Sequence, residues 1–340
     1  MNEKGVEKRL IRTYGSTRFD TGSKPVQENT FFDLASLTKP LCTVQSVLSL
    51  IENKKTGWNS PLKSLIRHKT GPYLKKITIG QLLSHSSGIK GYKEYFLDYK
   101  AQYKKNNKEK IIKTILKEPL AYQPGRKCIY SDLGYILLGE IVEQVSGSRF
   151  DVFFEKKIAK PMHLENDIFF KPFSKEPDKR KKKYAATEKC PWRKKMLQGE
   201  VQDENCWLMG GVSGHAGLFG TISGVLTMTE NILKIWKGNM EHPAYSSGLL
   251  QKALKKIDTK ETWCMGFDTP SLSGSSAGRY MSRSSVGHLG YTGTSFWIDP
   301  ERELVVVLLT NRVHPTRHNE NIKKFRPLFH DTVIISLNKK

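Results

Sequence analysis

The chain has 340 residues, 38% hydrophobic and 10% aromatic, and a formal net charge of +23 from 56 Lys and Arg against 33 Asp and Glu. That length supports one large domain or two lobes around a substantial core, and the apolar content excludes a mainly disordered chain. The charge raises a nucleic-acid or membrane-surface partner, but the lysines are spread along the chain, and the one dense run, Lys175 to Lys183, has no interleaved aromatics on which bases would stack. A solvated basic loop is the plainer reading, and nucleic acid is not the expected partner. The five cysteines, Cys42, Cys128, Cys190, Cys206 and Cys264, are odd in number and form no CxxC pair. This argues against a disulfide framework or a zinc knuckle and suits a reducing compartment. No stretch is long enough to span a bilayer, and the first twenty residues lack the apolar run of a signal peptide. As written, the chain is expected to be cytoplasmic; a longer N-terminus carrying a leader would move it to the periplasm or envelope.

In chain order, Arg9 to Tyr14 reads as a short strand, followed by a turn-rich stretch with Gly15, Gly22 and Pro25. After Phe31 to Pro40, the residues Leu41, Val44, Val47, Leu48 and Ile51 recur at helical spacing, which puts Ser36 where a helix begins. Pro40 is tolerable there only in a first turn. Ile77 to Gly88 predicts a short helix ending in a Ser-Ser-Gly turn. Ile111, Ile112, Ile115 and Leu116 mark an amphipathic helix. Pro124-Gly125 makes a turn, and a helix carrying Leu133, Ile136, Leu137, Ile141 and Val145 stops at Gly147. The Gly-rich segment Gly210 to Gly217 precedes another helix around Ile222 to Trp236. Ser295 to Ile298 and Leu304 to Leu309 flank a turn containing Pro300 and predict a hairpin. Nothing in the chain repeats.

Three elements carry chemistry. Ser36 and Lys39, three residues apart at a helix start, share one face, and the Ser36 amide, in a first turn, is free to donate to an oxyanion. Lys39 can accept the serine proton if burial lowers its pKa. The bland alternative is Ser36 as an N-cap. Tyr130-Ser131-Asp132 opens the helix that runs to Gly147. A phenol there can share its proton more easily near a helix N-terminus and an ammonium group, whereas the plain reading makes Tyr130 a core aromatic and Asp132 an N-cap. His288-Leu289-Gly290 lies on the strand before the hairpin turn, where Gly290 admits a substrate backbone and the Tyr291 amide supplies a second oxyanion donor. Its plain reading is a histidine in a Gly-rich strand.

Together the three resemble the S-x-x-K, Y/S-x-N and K-T-G elements of serine β-lactamases and penicillin-binding proteins. FDLASLTKP, LLSHSSG, PGRKCIYSDLGYILLGEIVEQVSG, GEVQDENCWLMGGVSGHAGLF and GHLGYTGTSFWIDPERELVVVLLTNRVHP resemble the class C β-lactamase-related serine hydrolases, a group that includes D-Ala-D-Ala carboxypeptidases and esterases. The resemblance runs from about Phe31 onward. It implies an α+β fold of the β-lactamase/DD-peptidase type, with an antiparallel sheet flanked by helices and an inserted helical lobe. The lobes would be 1–60 with 260–340, carrying the sheet, and 61–259, mainly helical, in one unit. It also implies an acyl-enzyme on Ser36, no metal and no organic cofactor. Carried over by position, Ser36 is the nucleophile, Lys39 its partner and Tyr130 the general base and acid. Asp132 contacts substrate or Lys39, His288 contacts substrate, and the oxyanion hole is formed by the amides of Ser36 and Tyr291 beside Gly290.

The departures are as telling. Asp132 stands for the usual Asn, adding negative charge that would hold Lys39 protonated. His288 stands for Lys, and Leu289 for a hydroxyl residue, both weakening the grip on a substrate carboxylate unless Arg283 or Thr292 compensates. Poor turnover of β-lactams and D-Ala-D-Ala peptides relative to esters or other amides is expected. Gln202 replaces a usual His before Asp203 to Asn205, a segment that would either line the cleft or serve as a structural loop, with structure favoured. His215 would either touch substrate or hydrogen-bond a loop, with the loop favoured. Relatives carry a first helix and a strand before Arg9 to Tyr14. The expected function is a serine hydrolase cleaving an ester or amide of a small-molecule or peptide substrate. The alternatives are a catalytically weak binding protein and, more distantly, a polyanion binder.

Overall fold

The computed structural model describes residues 2–3, 6–99, 104, 107–173, 183–258 and 260–338. The basic run singled out in the sequence lies outside these residues apart from Lys183, whose Nζ donates to Gln27 Oε1 at 2.7 Å.

The C-terminal hairpin folds as its alternation dictates. Ser295–Asp299 pairs antiparallel with Leu304–Leu308 on one side and with Val286–Leu289 on the other, giving a three-stranded sheet. Successive side chains leave opposite faces. Trp297, Leu304 and Val306 pack with Ile334, Phe329 and Val333 of the C-terminal helix Ile322–Asn338. Phe296, Ile298, Val305 and Val307 turn to the main core, where the helix Ile222–Trp236 contributes Val225, Met228 and Ile232. The sheet is therefore covered on both faces by helices. One of these comes from within the 61–259 segment, which also supplies the short strands Ile168–Phe170, Lys183–Tyr184, Ala186–Cys190, Lys195–Gln198 and Leu218–Gly220.

A second, four-stranded sheet places the first chemical element. Thr30–Asp33 lies between Leu218–Gly220 (antiparallel) and Lys183–Tyr184 (parallel), with Ile168–Phe170 beyond. The central helix, Asp132–Ser146, is capped by the Ser131 hydroxyl, which accepts from the Gly134 N–H, and ends at Gly147 with φ 71°. Leu133, Ile136, Leu137, Leu138, Ile141 and Val142 are all essentially inaccessible to solvent. Each such side chain contributes roughly 1.5–3 kcal/mol by burial, so this helix is a pillar of the core.

Two expectations are corrected. Arg9 to Tyr14 is not a strand: it pairs with no strand among the described residues, and Leu10 and Tyr14 stand 72% and 81% exposed, with nothing to bury against. The helix after Ser36 is not continuous either. It begins as a tight turn, Ala35–Leu37, widens over Lys39–Val44 and becomes regular only at Gln45–Glu52. Among the described residues no helix is long and apolar enough to cross a membrane.

Candidate active site

Ser36 sits on a turn held from several sides. Ala35 takes φ 47°, a left-handed value rare for alanine. The Asp33 carboxylate makes this possible by accepting the Ala35 N–H at 2.8 Å and the Gln202 N–H at 2.6 Å. Burial pushes that carboxyl up to about 6. Thr38 Oγ1 donates to the Ala35 carbonyl and accepts from the Leu218 N–H, pinning the turn to its neighbouring strand. The Thr292 hydroxyl donates to the Asp33 carbonyl, and Thr294 Oγ1 to that of Leu34.

Around Ser36 Oγ the three sequence elements meet. Lys39 Nζ lies 3.0 Å away and the Tyr130 hydroxyl 2.7 Å away. Lys39 is completely buried, and its ammonium also donates to Asp132 Oδ1 at 2.7 Å and to the His215 carbonyl at 3.1 Å. Burial pulls Lys39 below the ordinary lysine range, against the opposing pull of the Asp132 charge. Tyr130 is driven well above the usual phenol range, by burial first and by Asp132 second. Any help from the nearby Lys39, 4.7 Å from the ring centre, is outweighed. Asp132 is the first residue of its helix and Ser131 the cap, which leaves the Asp132 carboxylate free for Lys39.

The strand Val286–Leu289 brings His288, and beyond it Gly290 and Tyr291, to the same cleft. A Cβ at Gly290 would fall 2.0 Å from Thr294 Oγ1 and 2.8 Å from the Leu34 carbonyl, so only glycine fits between strand and nucleophile turn. Neither the Ser36 nor the Tyr291 amide has an acceptor among the described residues. His288 donates from Nδ1 to the Leu289 carbonyl, and burial holds its imidazole down at about 3, so it is neutral where a lysine would be charged. The two groups expected to compensate do not. Arg283 donates to the Ser271 carbonyl and lies outside the lining, and the Thr292 hydroxyl is committed to Asp33.

The cleft encloses about 670 Å³. Among the lining residues that sequence reasoning missed are Tyr92, Trp263, Arg312 and Arg326. Arg326 donates to the Gly290 and Thr294 carbonyls, and Arg312 to that of Tyr291, so both cations stand beside the strand edge with no carboxylate partner among the described residues. Asp203 lines the cleft and caps the helix Glu204–Leu208, joining the two readings of its segment. Its carboxylate also binds His215 Nε2 at 2.9 Å; burial pushes it up, but His215, the Cys206 N–H and Lys39 together hold it down at about 2. His215 thus hydrogen-bonds a loop while also lining the cleft, and its own carbonyl touches Lys39. Glu188, Cys190 and Glu204 bring ligand atoms within 4.8 Å of one another, but both carboxylates hold Arg317, which fills the place a cation would take.

A serine with a buried lysine and a tyrosine at its oxygen, facing two free amides across a cleft, is the apparatus of an acyl-transferring serine hydrolase. The family model described as Beta-lactamase matches residues 7–326, and the chain belongs to that family. It is 32% identical to an N-acetylmuramyl-L-alanine amidase of Bacillus subtilis (strain 168), covering 90% of this chain and 75% of that one. It is 30% identical to a Salmonella agona (strain SL483) protein named "Putative D-alanyl-D-alanine carboxypeptidase", over 86% and 72% of the two chains. In fold it matches an octameric penicillin-binding protein homologue from Pyrococcus abyssi with a TM-score of 0.69 at 21% identity, over 92% of this chain and 67% of that one. The fold is thus of the β-lactamase and penicillin-binding type, and the protein is a serine hydrolase.

Proposed function

We propose that Ser36 attacks the carbonyl carbon of an ester or amide and that its proton passes to Lys39, directly or through Tyr130. The single observation that carries this reading is the convergence of Lys39 Nζ and the Tyr130 hydroxyl on Ser36 Oγ at 3.0 and 2.7 Å. Lys39 is the more available base of the two, because burial favours its neutral amine and disfavours the Tyr130 phenolate. Tyr130 therefore acts as relay and acid rather than as a resting phenolate. The amides of Ser36 and Tyr291 take the oxyanion of the tetrahedral intermediate. The carbonyl–leaving-group bond then breaks. Tyr130 protonates the departing alkoxide or amine and is recharged from Lys39, and water resolves the acyl-enzyme by the same steps in reverse.

Esters and neutral amides are the favoured donors, since His288 is neutral and Leu289 offers no hydroxyl. A second reading, a D,D-carboxypeptidase, draws support from the relatives' names and from Arg312 and Arg326 beside Tyr291 and Gly290. The test is time-resolved intact mass with a penicillin or an activated nitrophenyl ester, with Ser36→Ala in parallel and product release followed. An adduct or turnover is expected with the ester and absent in Ser36→Ala. A penicilloyl adduct formed faster than the ester's acyl-enzyme selects the carboxypeptidase reading. No adduct with either leaves a binding protein.

A further inference from the structure

His85 takes no part in the cleft lining, yet it holds the segment that does. It is fully buried, and its φ of 60° lies in the left-handed region that asparagine and glycine tolerate best. This conformation aims two acceptors at the chain on either side of Tyr130. The His85 carbonyl accepts the Ile129 N–H at 3.0 Å, and His85 Nδ1 accepts the Ser131 N–H at 3.0 Å. The Tyr122 hydroxyl donates to the same carbonyl at 2.9 Å, tying the bracket to a third point. From the other side, the Gly91 carbonyl accepts the Asp132 N–H at 2.8 Å, and Gly91 approaches so closely that a Cβ there would lie 2.7 Å from the Tyr130 carbonyl. The His85 ring packs on that of Tyr130 at 4.8 Å, and Trp263 stands edge-on against His85 at 4.7 Å.

We propose that His85 is the positioning residue for Tyr130, bracketing it through the main-chain carbonyl and Nδ1 so that the phenol oxygen is held 2.7 Å from Ser36 Oγ. The role is geometric. With Nδ1 accepting, the neutral ring carries its proton on Nε2, which has no hydrogen-bond partner among the described residues. Burial, and then the Lys39 charge, keep the ring neutral by holding it well below the ordinary histidine range. His85 therefore does not carry the reaction's protons. This inference rests on the assignment of Tyr130 to proton relay.

The test compares His85→Asn, His85→Gln and Tyr130→Phe by steady-state hydrolysis of an activated nitrophenyl ester across pH. Asparagine adopts the left-handed turn and places Oδ1 where Nδ1 was; glutamine carries its acceptor one bond too far. His85→Asn is expected to keep kcat within about threefold, and His85→Gln to lose about tenfold or more in kcat with little change in KM, since small misplacements of a reacting group are costly. Both are expected to keep the wild-type pH profile. Should His85→Gln not fold, His85→Gly, which takes the same φ without strain, carries the comparison. Equal activity of the Asn variant and its comparator, a displaced pH limb in His85→Asn, or failure of His85→Asn to fold overturns the proposal. Wild-type kcat in Tyr130→Phe overturns the Tyr130 assignment itself. An impaired Tyr130→Phe beside an unimpaired Gln variant overturns only the role of His85.

Discussion

Lys39 is held between two opposing influences at one nitrogen. Full burial favours the neutral amine, while Asp132 at 2.7 Å favours the ammonium. Only the amine can take a proton from Ser36, so activity is expected to rise with pH as Lys39 deprotonates. In Asp132→Asn the anion that stabilises the ammonium is gone, the Lys39 pKa falls further, and the rising limb of kcat/KM moves to lower pH by about one unit. A pH profile with a nitrophenyl ester checks this, and a limb that stays in place would mean Lys39 does not set it. The residues that meet at Ser36 were legible because each lies in a short motif whose spacing is fixed by one helix turn or one strand. Asp203–His215 and Arg317 with Glu188 and Glu204 were not. These bonds join side chains 12, 129 and 113 positions apart, and no local period announces them. His85 lay in a recognised motif, but its bond to Ser131 across 46 positions was equally invisible.

Elements with a complete periodic signal were read to within a residue of their observed limits. Ile222–Trp236 has a 15-residue amphipathic pattern, and the hairpin strands alternate over five residues each. The four-stranded sheet was hidden because its strands have only two to four residues and pair across the chain. Arg9 to Tyr14 shows the converse: β-like composition without a partner makes no strand. The helix Ile222–Trp236 also offers a test of stability separate from chemistry. Thr221 caps it by accepting the Gly224 N–H at 3.0 Å and donating to Asp167. Thr221→Ala is expected to cost about 1 kcal/mol in urea unfolding while leaving kcat unchanged. A fall in kcat at a temperature where the variant is fully folded would tie this helix to the site.

At the scale of the whole molecule, the cleft is closed by an approach between backbones. A Cβ on Gly139 of the central helix would come 2.8 Å from the Gly214 nitrogen, and one on Gly214 would come 2.1 Å from the Tyr135 carbonyl. This contact lets the loop 213–216 lie flat on the helix. From there its carbonyls reach Thr43 Oγ1 at 2.6 Å and Lys39 Nζ at 3.1 Å. Gly139→Ala is expected to lower stability by about 1–3 kcal/mol through overpacking, and to lower kcat as well, because the loop that carries the His215 carbonyl must move. Denaturant melts and ester kinetics on the same preparation check both, and a neutral substitution would show the loop free to shift at no cost.

The turn before Ser36 has a mechanical consequence. An alanine at φ 47° is a loaded catch, storing roughly 1–2 kcal/mol that the Asp33 carboxylate and Thr38 keep from releasing. Glycine at this position would unload it. Ala35→Gly should melt no lower than the parent, since relieved strain offsets the added freedom of the unfolded chain, and yet turn over more slowly, because Ser36 would wander. Such a variant, equally durable and less capable, would show in one residue that the chain keeps a tense hinge under its nucleophile in exchange for aim.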